Sequence, residues 1–267
     1  RDRSPRAQPR GKLANWGNSF LPGAYAGSYV NINSMKPDAV INDLKNPSLD
    51  RSLQRKQADL LGQLNKLHLD RVKKDQSLES SIQAMEMAFR MQFSVPDVFD
   101  INKESEATKK LYGDSEFAKG CLIARRLVEQ GVRVVQLNHS IDGYDIAWDT
   151  GHGDIKGGHA RLAHACDQGI AALLKDLKGR GLLKDTLVVW GGEFGRTIYC
   201  QGSLTRKNYG RDHHPKCYTV WMAGAGVKPG IVYGETDDFS YNIVRDPVHI
   251  HQLNATILDQ LGVDHRL

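Results

Sequence analysis

Hydrophobic residues repeat at helical spacing over much of the chain between Asp50 and Leu261. The repeat predicts a first helix that begins after Asp50, a favourable N-cap residue, and a second helix that begins near Ser77. Because the two segments follow each other closely, we expect a helical hairpin. Further amphipathic segments predict helices at about Glu104 to Leu111, Glu116 to Gln130, Lys156 to Lys178 and Asn254 to Leu261.

Short runs of β-branched and aromatic residues lie between the later helices. They predict strands at Val132 to Leu137, Thr186 to Trp190, Tyr218 to Met222 and Ile231 to Tyr233. From Val132 to Trp190 a strand, a helix and a strand follow one another, an order typical of parallel, right-handed pairing. We therefore predict an α/β fold, a three-layer α/β/α sandwich with a mostly parallel central sheet, preceded by the helical hairpin.

The composition changes near residue 50. Residues 1–49 hold many of the glycines, asparagines and prolines but little periodicity, so we expect an extended or irregular segment. Residues 50–267 form the predicted α/β domain, in which residues 50–112 are a helical insertion.

Charge and hydrophobicity exclude some classes of function. Hydrophobic residues make up 40% and charged residues 25% of the 267 residues, and the net charge is +5, which is typical of globular proteins. Much of the positive charge lies among prolines at the amino end, where we expect a disordered basic tail. Because no basic stripe with interleaved aromatic residues follows, nucleic acid is not an expected partner. No apolar run reaches the ~18 residues that a membrane span needs, so no transmembrane segment is expected.

The four cysteines form no C-x-x-C pair, which argues against a zinc knuckle or a redox motif. Cys121 and Cys166 fall on apolar helix positions and are predicted to lie in the core. Cys200 and Cys217 flank a polar loop, where they can form a disulfide if the protein is exported.

Charged side chains follow the predicted strand that ends at Trp190. Two glycines come next and let the backbone turn sharply, so Glu193 and Arg196 are placed just past the carboxyl end of that strand. Ligands bind at this edge in open α/β sheets. We expect an anion site there, in which Arg196 or Arg211 offers forked hydrogen bonds to phosphate or sulfate.

Three predicted loops carry side chains that can bind a metal ion. These candidate ligands are Asp149 and His152, Glu193, and Asp212 with His213 or His214. Carboxylates with imidazoles suit Zn²⁺, Mn²⁺ or Fe²⁺, and a carboxylate-rich set can take Ca²⁺ or Mg²⁺. We favour His213 over His214, since adjacent side chains need not point the same way.

Other histidines are expected to be structural. His159 and His164 lie on a helix face that is predicted to point partly outward. His249 and His251 precede the last helix, where we expect hydrogen bonds near its start.

Several segments resemble a bacterial family of unknown function, the domain of unknown function 1501 family, which is abundant in planctomycetes and lies within the alkaline phosphatase and sulfatase superfamily. The longer of these segments are Thr186 to Thr197, Gly210 to Pro215, Ala223 to Lys228, Val248 to His251 and Ala255 to Leu258. The shorter ones are Asn15 to Gly17, Ala88 to Met91, Ala124 to Gly131 and Trp148 to Asp149. The resemblance therefore spans most of the chain.

The resemblance implies the three-layer α/β/α sandwich of that superfamily and metal binding by Asp149, His152, Glu193 and His213. It implies a metal-dependent hydrolase of phosphate or sulfate esters, acting on a small anionic ester or a sulfated polysaccharide in the periplasm or outside the cell. The alternatives are a non-catalytic secreted binding or scaffold protein, an inactive fragment and, more weakly, a metal-dependent phosphomutase.

The chain departs from the family pattern in two ways. His152 lies three residues after Asp149, where the family usually has a spacing of two. An earlier strand that carries a metal ligand and the nucleophile has no counterpart, so we expect an incomplete gene, a fragment or a domain that lacks its first βα unit. Thr150 and Thr197 lie near the site, but their spacing marks neither of them as an activated nucleophile.

Overall fold

The structure is a computed structural model that describes residues 27–30, 48–72, 97–139, 148, 155–206 and 209–266. The chain divides into two compact units, Arg1–Lys110 with Leu122–Leu137, and Leu111–Cys121 with Asn138–Leu267. Most of the segment predicted to be irregular, residues 1–49, lies outside the described residues, as does the helix predicted from Ser77.

The described residues contain five α-helices and two short 3-10 turns. The helices are α1 (Arg51–Val72), α2 (Glu106–Tyr112), α3 (Glu116–Glu129), α4 (Ile155–Gly179) and α5 (Ile250–Gln260), and the 3-10 turns are Ile101–Lys103 and Leu182–Lys184. The helices predicted within these residues are confirmed, and α5 begins earlier than predicted. None of the helices in this described part of the chain is long and apolar enough to span a bilayer.

Side chains cap the first turns of α1 and α5. The backbone N–H of Leu53 donates to Asp50 Oδ1 at 2.9 Å, which confirms the predicted N-cap. At α5 the cap is His249, whose Nδ1 accepts from the N–H of His251 at 3.2 Å while its own N–H donates to Gln252 Oε1 at 2.7 Å. The structural role predicted for His249 is therefore confirmed.

A buried ion-pair cluster holds the first unit together. Arg125 is 2% exposed and pairs with Glu104 at 2.8 Å and with Glu129 at 2.6 Å. Arg126 also pairs with Glu104, and its Nε donates to the carbonyl of Val98 at 2.6 Å. Burial alone would raise the pKa of Glu104, but the hydrogen bonds from the two guanidinium groups outweigh it and lower that pKa.

In the second unit, α3 and α4 pack closely at Ala118 and Gly169. A Cβ on Gly169 would lie 2.8 Å from the Cα of Ala118, so glycine permits the close approach of the two backbones. Cys121 and Cys166 are buried one turn away, which confirms the prediction that both lie in the core. Burial raises the pKa of the Cys121 thiol to about 12, so this cysteine packs as an unreactive apolar residue.

The strands of the described residues pair only in antiparallel fashion. The pairs are β1 (Leu187–Trp190) with β4 (Trp221–Gly224), β2 (Gly195–Arg196) with β3 (His213–His214), and β5 (Glu235–Thr236) with β6 (Ile243–Arg245). Each pair forms its own two-stranded sheet. The prediction of a three-layer α/β/α sandwich with a mostly parallel central sheet is therefore wrong.

The chain path explains this correction. A parallel pair needs a crossover, usually a helix, that returns the chain to the same end of the sheet. Between Trp190 and Trp221 the described residues contain the β2–β3 pair instead, so the chain meets β1 in the opposite direction. The runs Val132 to Leu137 and Ile231 to Tyr233, which were expected to be strands, form none, and Val134 is 75% exposed.

Candidate functional site

The β2–β3 pair brings together two of the side chains predicted for the site. Arg196 lies directly opposite His213 in this antiparallel pair, and Gly195 lies opposite His214. Opposed residues project from the same face of a sheet, and successive residues project from opposite faces. Arg196 and His213 therefore share one face, and His214 belongs to the other.

Glu193 and Phe194 complete this face. The Glu193 carboxylate lies 3.6 Å from Arg196 Nη2, with 58% of its side chain exposed against 15% for Arg196. The ring of Phe194 meets the imidazole of His213 edge to face at 5.0 Å. A mostly buried guanidinium thus lies opposite an imidazole that packs against Phe194, and the carboxylate of Glu193 beside it is largely in solvent.

Thr197 links the strands behind the site and is 2% exposed. Its hydroxyl donates to the carbonyl of Tyr199 at 2.7 Å and accepts the N–H of Asp212 at 3.0 Å, while its own N–H donates to the Asp212 carbonyl at 2.9 Å. The hydroxyl proton is therefore used by the fold. Sequence reasoning placed Thr197 near the site but missed this bracing role.

Arg211 and Asp212 are held by the loop itself. Arg211 Nη1 donates to the carbonyl of Thr197 at 2.9 Å, and Asp212 Oδ1 accepts the N–H of His213 at 2.7 Å. Both side chains shape the backbone that presents His213. Of the two arginines predicted to bind an anion, Arg196 is the one that lies opposite His213.

His214 packs on the other face and is 8% exposed. Its Nε2 donates to the carbonyl of Tyr241 at 2.6 Å, and its ring stacks on that of Tyr241 at 4.7 Å. Asp237 fixes this tyrosine by accepting its N–H at 2.8 Å, and this hydrogen bond lowers the pKa of the Asp237 carboxyl. His214 therefore makes structural contacts, and His213 is the one of the two histidines that shares a face with Arg196.

Gly195 is required by close backbone packing under the site. A Cβ at this position would lie 1.9 Å from the carbonyl oxygen of Cys217. Cys217 and Cys200, for which a disulfide was an open possibility, are both free thiols. Burial raises the pKa of Cys217, so the thiol under the site stays protonated at neutral pH.

The predicted metal ligands are only partly within the described residues. Asp149 and His152 lie outside them. No three histidine, cysteine, aspartate or glutamate side chains within the described ranges are grouped so that they can hold a metal ion. Glu193, Asp212 and His213 suit a divalent ion by chemical type, but they do not form a complete set on their own.

An aromatic cluster that the sequence did not predict lies around Trp148. Its indole N–H donates to His139 Nδ1 at 3.0 Å, and the ring of Phe117 meets that imidazole at 4.7 Å. His159, which was expected on the outward side of its helix, instead contacts Trp148 edge to face at 5.7 Å, whereas His164 is exposed as expected. Burial lowers the pKa of His139, so its imidazole favours the neutral form.

Comparison with known proteins gives one family match. A family model described as a protein of unknown function (DUF1501) matches residues 2–267. No curated protein and no solved structure matches the chain.

Proposed function

The chain belongs to the DUF1501 family of proteins of unknown function, and we propose that it is a metal-dependent hydrolase of phosphate or sulfate esters. The observation that carries the proposal is the cross-strand pair of Arg196 and His213. The resemblance of the surrounding motifs to the alkaline phosphatase and sulfatase superfamily also supports it.

Arg196 is the group that binds the anionic ester. Its guanidinium offers parallel N–H donors that match two oxygens of a tetrahedral anion. Since its side chain is only 15% exposed, water screens its charge less than that of a surface arginine. Glu193 is a counter-ion of Arg196, and an incoming phosphate or sulfate would replace it there.

His213 contributes an imidazole on the same face. Phe194 holds one side of the ring and the Asp212 loop fixes its backbone, so the ring is oriented before an ester binds. An imidazole in this place can donate a proton to the leaving oxygen or ligate a metal ion.

The residues that would hold a divalent ion are Asp149, His152, Glu193, Asp212 and His213. Such an ion would polarise the phosphoryl or sulfuryl oxygen and neutralise charge that develops there. Zn²⁺ or Mn²⁺ fits the mixture of carboxylates and imidazoles, and Ca²⁺ or Mg²⁺ would rely on the carboxylates.

The test is a screen of p-nitrophenyl phosphate and p-nitrophenyl sulfate with each of these four ions, run beside elemental analysis of the purified chain. We expect ester hydrolysis that depends on a metal and falls at least about tenfold in Arg196→Ala and in His213→Ala. Arg245→Ala is the matched control, since Arg245 is 66% exposed and pairs with Glu235 in the separate β5–β6 sheet. Wild-type chain that holds a metal and hydrolyses neither ester contradicts the proposal.

A second candidate is a binding protein without turnover. It is favoured by Thr197, because this hydroxyl beside the site already donates its proton to a backbone carbonyl and is not activated as a nucleophile. Binding of phosphate or sulfate that depends on Arg196, with no hydrolysis under any metal, would favour this candidate.

A further inference from the structure

Helix α1 carries an exposed stripe of leucines. Leu53, Leu60 and Leu67 recur every seven residues, and Leu64 lies between the last two. Their exposed fractions are 47%, 55%, 61% and 52%, in the order just given. Residues seven apart lie on one side of a helix, so the four leucines form a single apolar seam.

The two flanks of this leucine seam differ. On one flank, Gln54, Leu61 and Asn65 are half-buried. On the other flank, Lys56, Gln63 and Asp70 are exposed, again at intervals of seven. This exposed flank is polar with a cation at one end and an anion at the other, as is typical of residues that border a coiled-coil seam.

We propose that α1 pairs in antiparallel fashion with α1 of a second copy of this chain. The leucine seams face each other, and Lys56 of each copy lies opposite Asp70 of the other. Gln63 lies midway between Lys56 and Asp70 in the sequence. A two-fold axis near Gln63 therefore brings Lys56 of each copy next to Asp70 of the other copy. A C₂ interface of this kind uses the same patch twice.

Charge complementarity selects this occupant and direction. In a parallel pair this flank would meet the flank of Gln54 and Leu61 on the other copy, where neither Lys56 nor Asp70 faces an opposite charge, whereas the antiparallel pair places unlike charges together at both ends. Contact between the seams also removes from water four leucines that are each about half exposed in one copy.

The experiment measures the mass of the full chain by light scattering over a range of concentrations. We expect a shift from 29.8 kDa to twice that mass as the concentration rises. Leu60→Glu with Leu64→Glu is expected to give a monomer with unchanged helical circular dichroism, because both leucines are exposed. Lys66→Asp, an exposed charge change on another face of α1, is the control and keeps the dimer.

Charge reversal tests the direction of pairing. Lys56→Asp and Asp70→Lys are each expected to weaken dimerisation by about tenfold, since each creates two like-charge contacts. The double variant with both changes is expected to restore it.

Three results would overturn the proposal. The first is a wild-type chain that stays monomeric at every concentration. If the variant with Leu60→Glu and Leu64→Glu then also unfolds, the leucine seam packs against another part of the same chain. The second is a dimer that the leucine changes do not affect. The third is a double charge variant as weak as either single one.

Discussion

Arg125 is the largest fully buried polar side chain in the described residues, and its charge is balanced by Glu104 and Glu129. A buried pair costs free energy to desolvate, but removal of one partner leaves an unbalanced charge inside the protein. Substitution of a residue in this cluster is therefore expected to destabilise the first unit.

We expect Glu104→Ala to lower the free energy of unfolding by about 3 kcal/mol, because it removes a buried carboxylate that balances the charges of both Arg125 and Arg126. Urea denaturation measures the change. Glu106→Ala is the control: this glutamate is 89% exposed and pairs only with Lys109 among the described contacts, so the change is expected to cost less than about 1 kcal/mol. Equal losses in the two variants would contradict the role of Glu104.

Titration of His139 is expected to make the stability of the chain depend on pH. Burial lowers its pKa in the folded chain below the ordinary value of 6.5, so the unfolded chain binds the proton more tightly. Stability is therefore complete above pH 6.5 and falls as the pH drops from there towards the folded-state pKa.

Urea denaturation of wild type and His139→Asn between about pH 7 and about pH 5 tests this. The asparagine oxygen can still accept the Trp148 N–H but does not titrate, so the variant is expected to lose less stability on acidification. Identical pH dependence of the two proteins would refute the assignment to His139.

Part of this residue-scale picture follows from sequence alone. Asp50 and His249 act next to their own helices, and local spacing was enough to place them. The Arg125–Glu104 pair and the bracing role of Thr197 were missed because Glu104 lies far along the chain and the partners of Thr197 are backbone groups, and no local pattern records such contacts.

At the scale of elements, the site depends on the short β2–β3 pair. Two residues on each side give few backbone hydrogen bonds, so the pair relies on packing by Gly195 and bracing by Thr197. A change under the strand is therefore expected to act on the site above it.

Gly195→Ala is expected to destabilise the chain by about 2 kcal/mol or more, because its Cβ would overlap the Cys217 carbonyl. It is also expected to weaken phosphate binding, since Arg196 shifts with the strand. The matched control is Gly192→Ala, whose Cβ meets only ordinary contact at 3.6 Å. Thermal melting and phosphate titration of both variants provide the measurement, and equal behaviour would contradict the packing argument.

The helices were predictable and the sheet was not. Amphipathic repeats and terminal glycines such as Gly131 and Gly262, which adopt φ of 82° and 75°, mark helices within the local sequence. Strand direction depends on which runs pair. The run from Val132 to Leu137 has strand-like composition but forms no strand within the described part of the chain, so the predicted strand-helix-strand unit is not formed.

At the scale of the whole molecule, the site residues that the structure describes come from the second unit. The sequence placed Glu193, Arg196 and His213 in one site, and the antiparallel hairpin brings the last two together without the parallel sheet on which that expectation rested. Chemical type and, for Glu193 and Arg196, nearness to the Gly191-Gly192 turn led to these residues although the predicted architecture was wrong, and their role in a site stays a prediction.

Arg196 and His213 are proposed to form a site for a tetrahedral anion. Titration calorimetry of the full chain with inorganic phosphate tests this directly, in the presence of a chelator so that no metal contributes. We expect saturable binding that weakens at least about tenfold in Arg196→Ala, less in Arg196→Lys because one forked donor pair is lost, and not at all in Arg245→Ala. Phosphate binding that is absent from wild type, or unchanged in Arg196→Ala, would rule out this anion site.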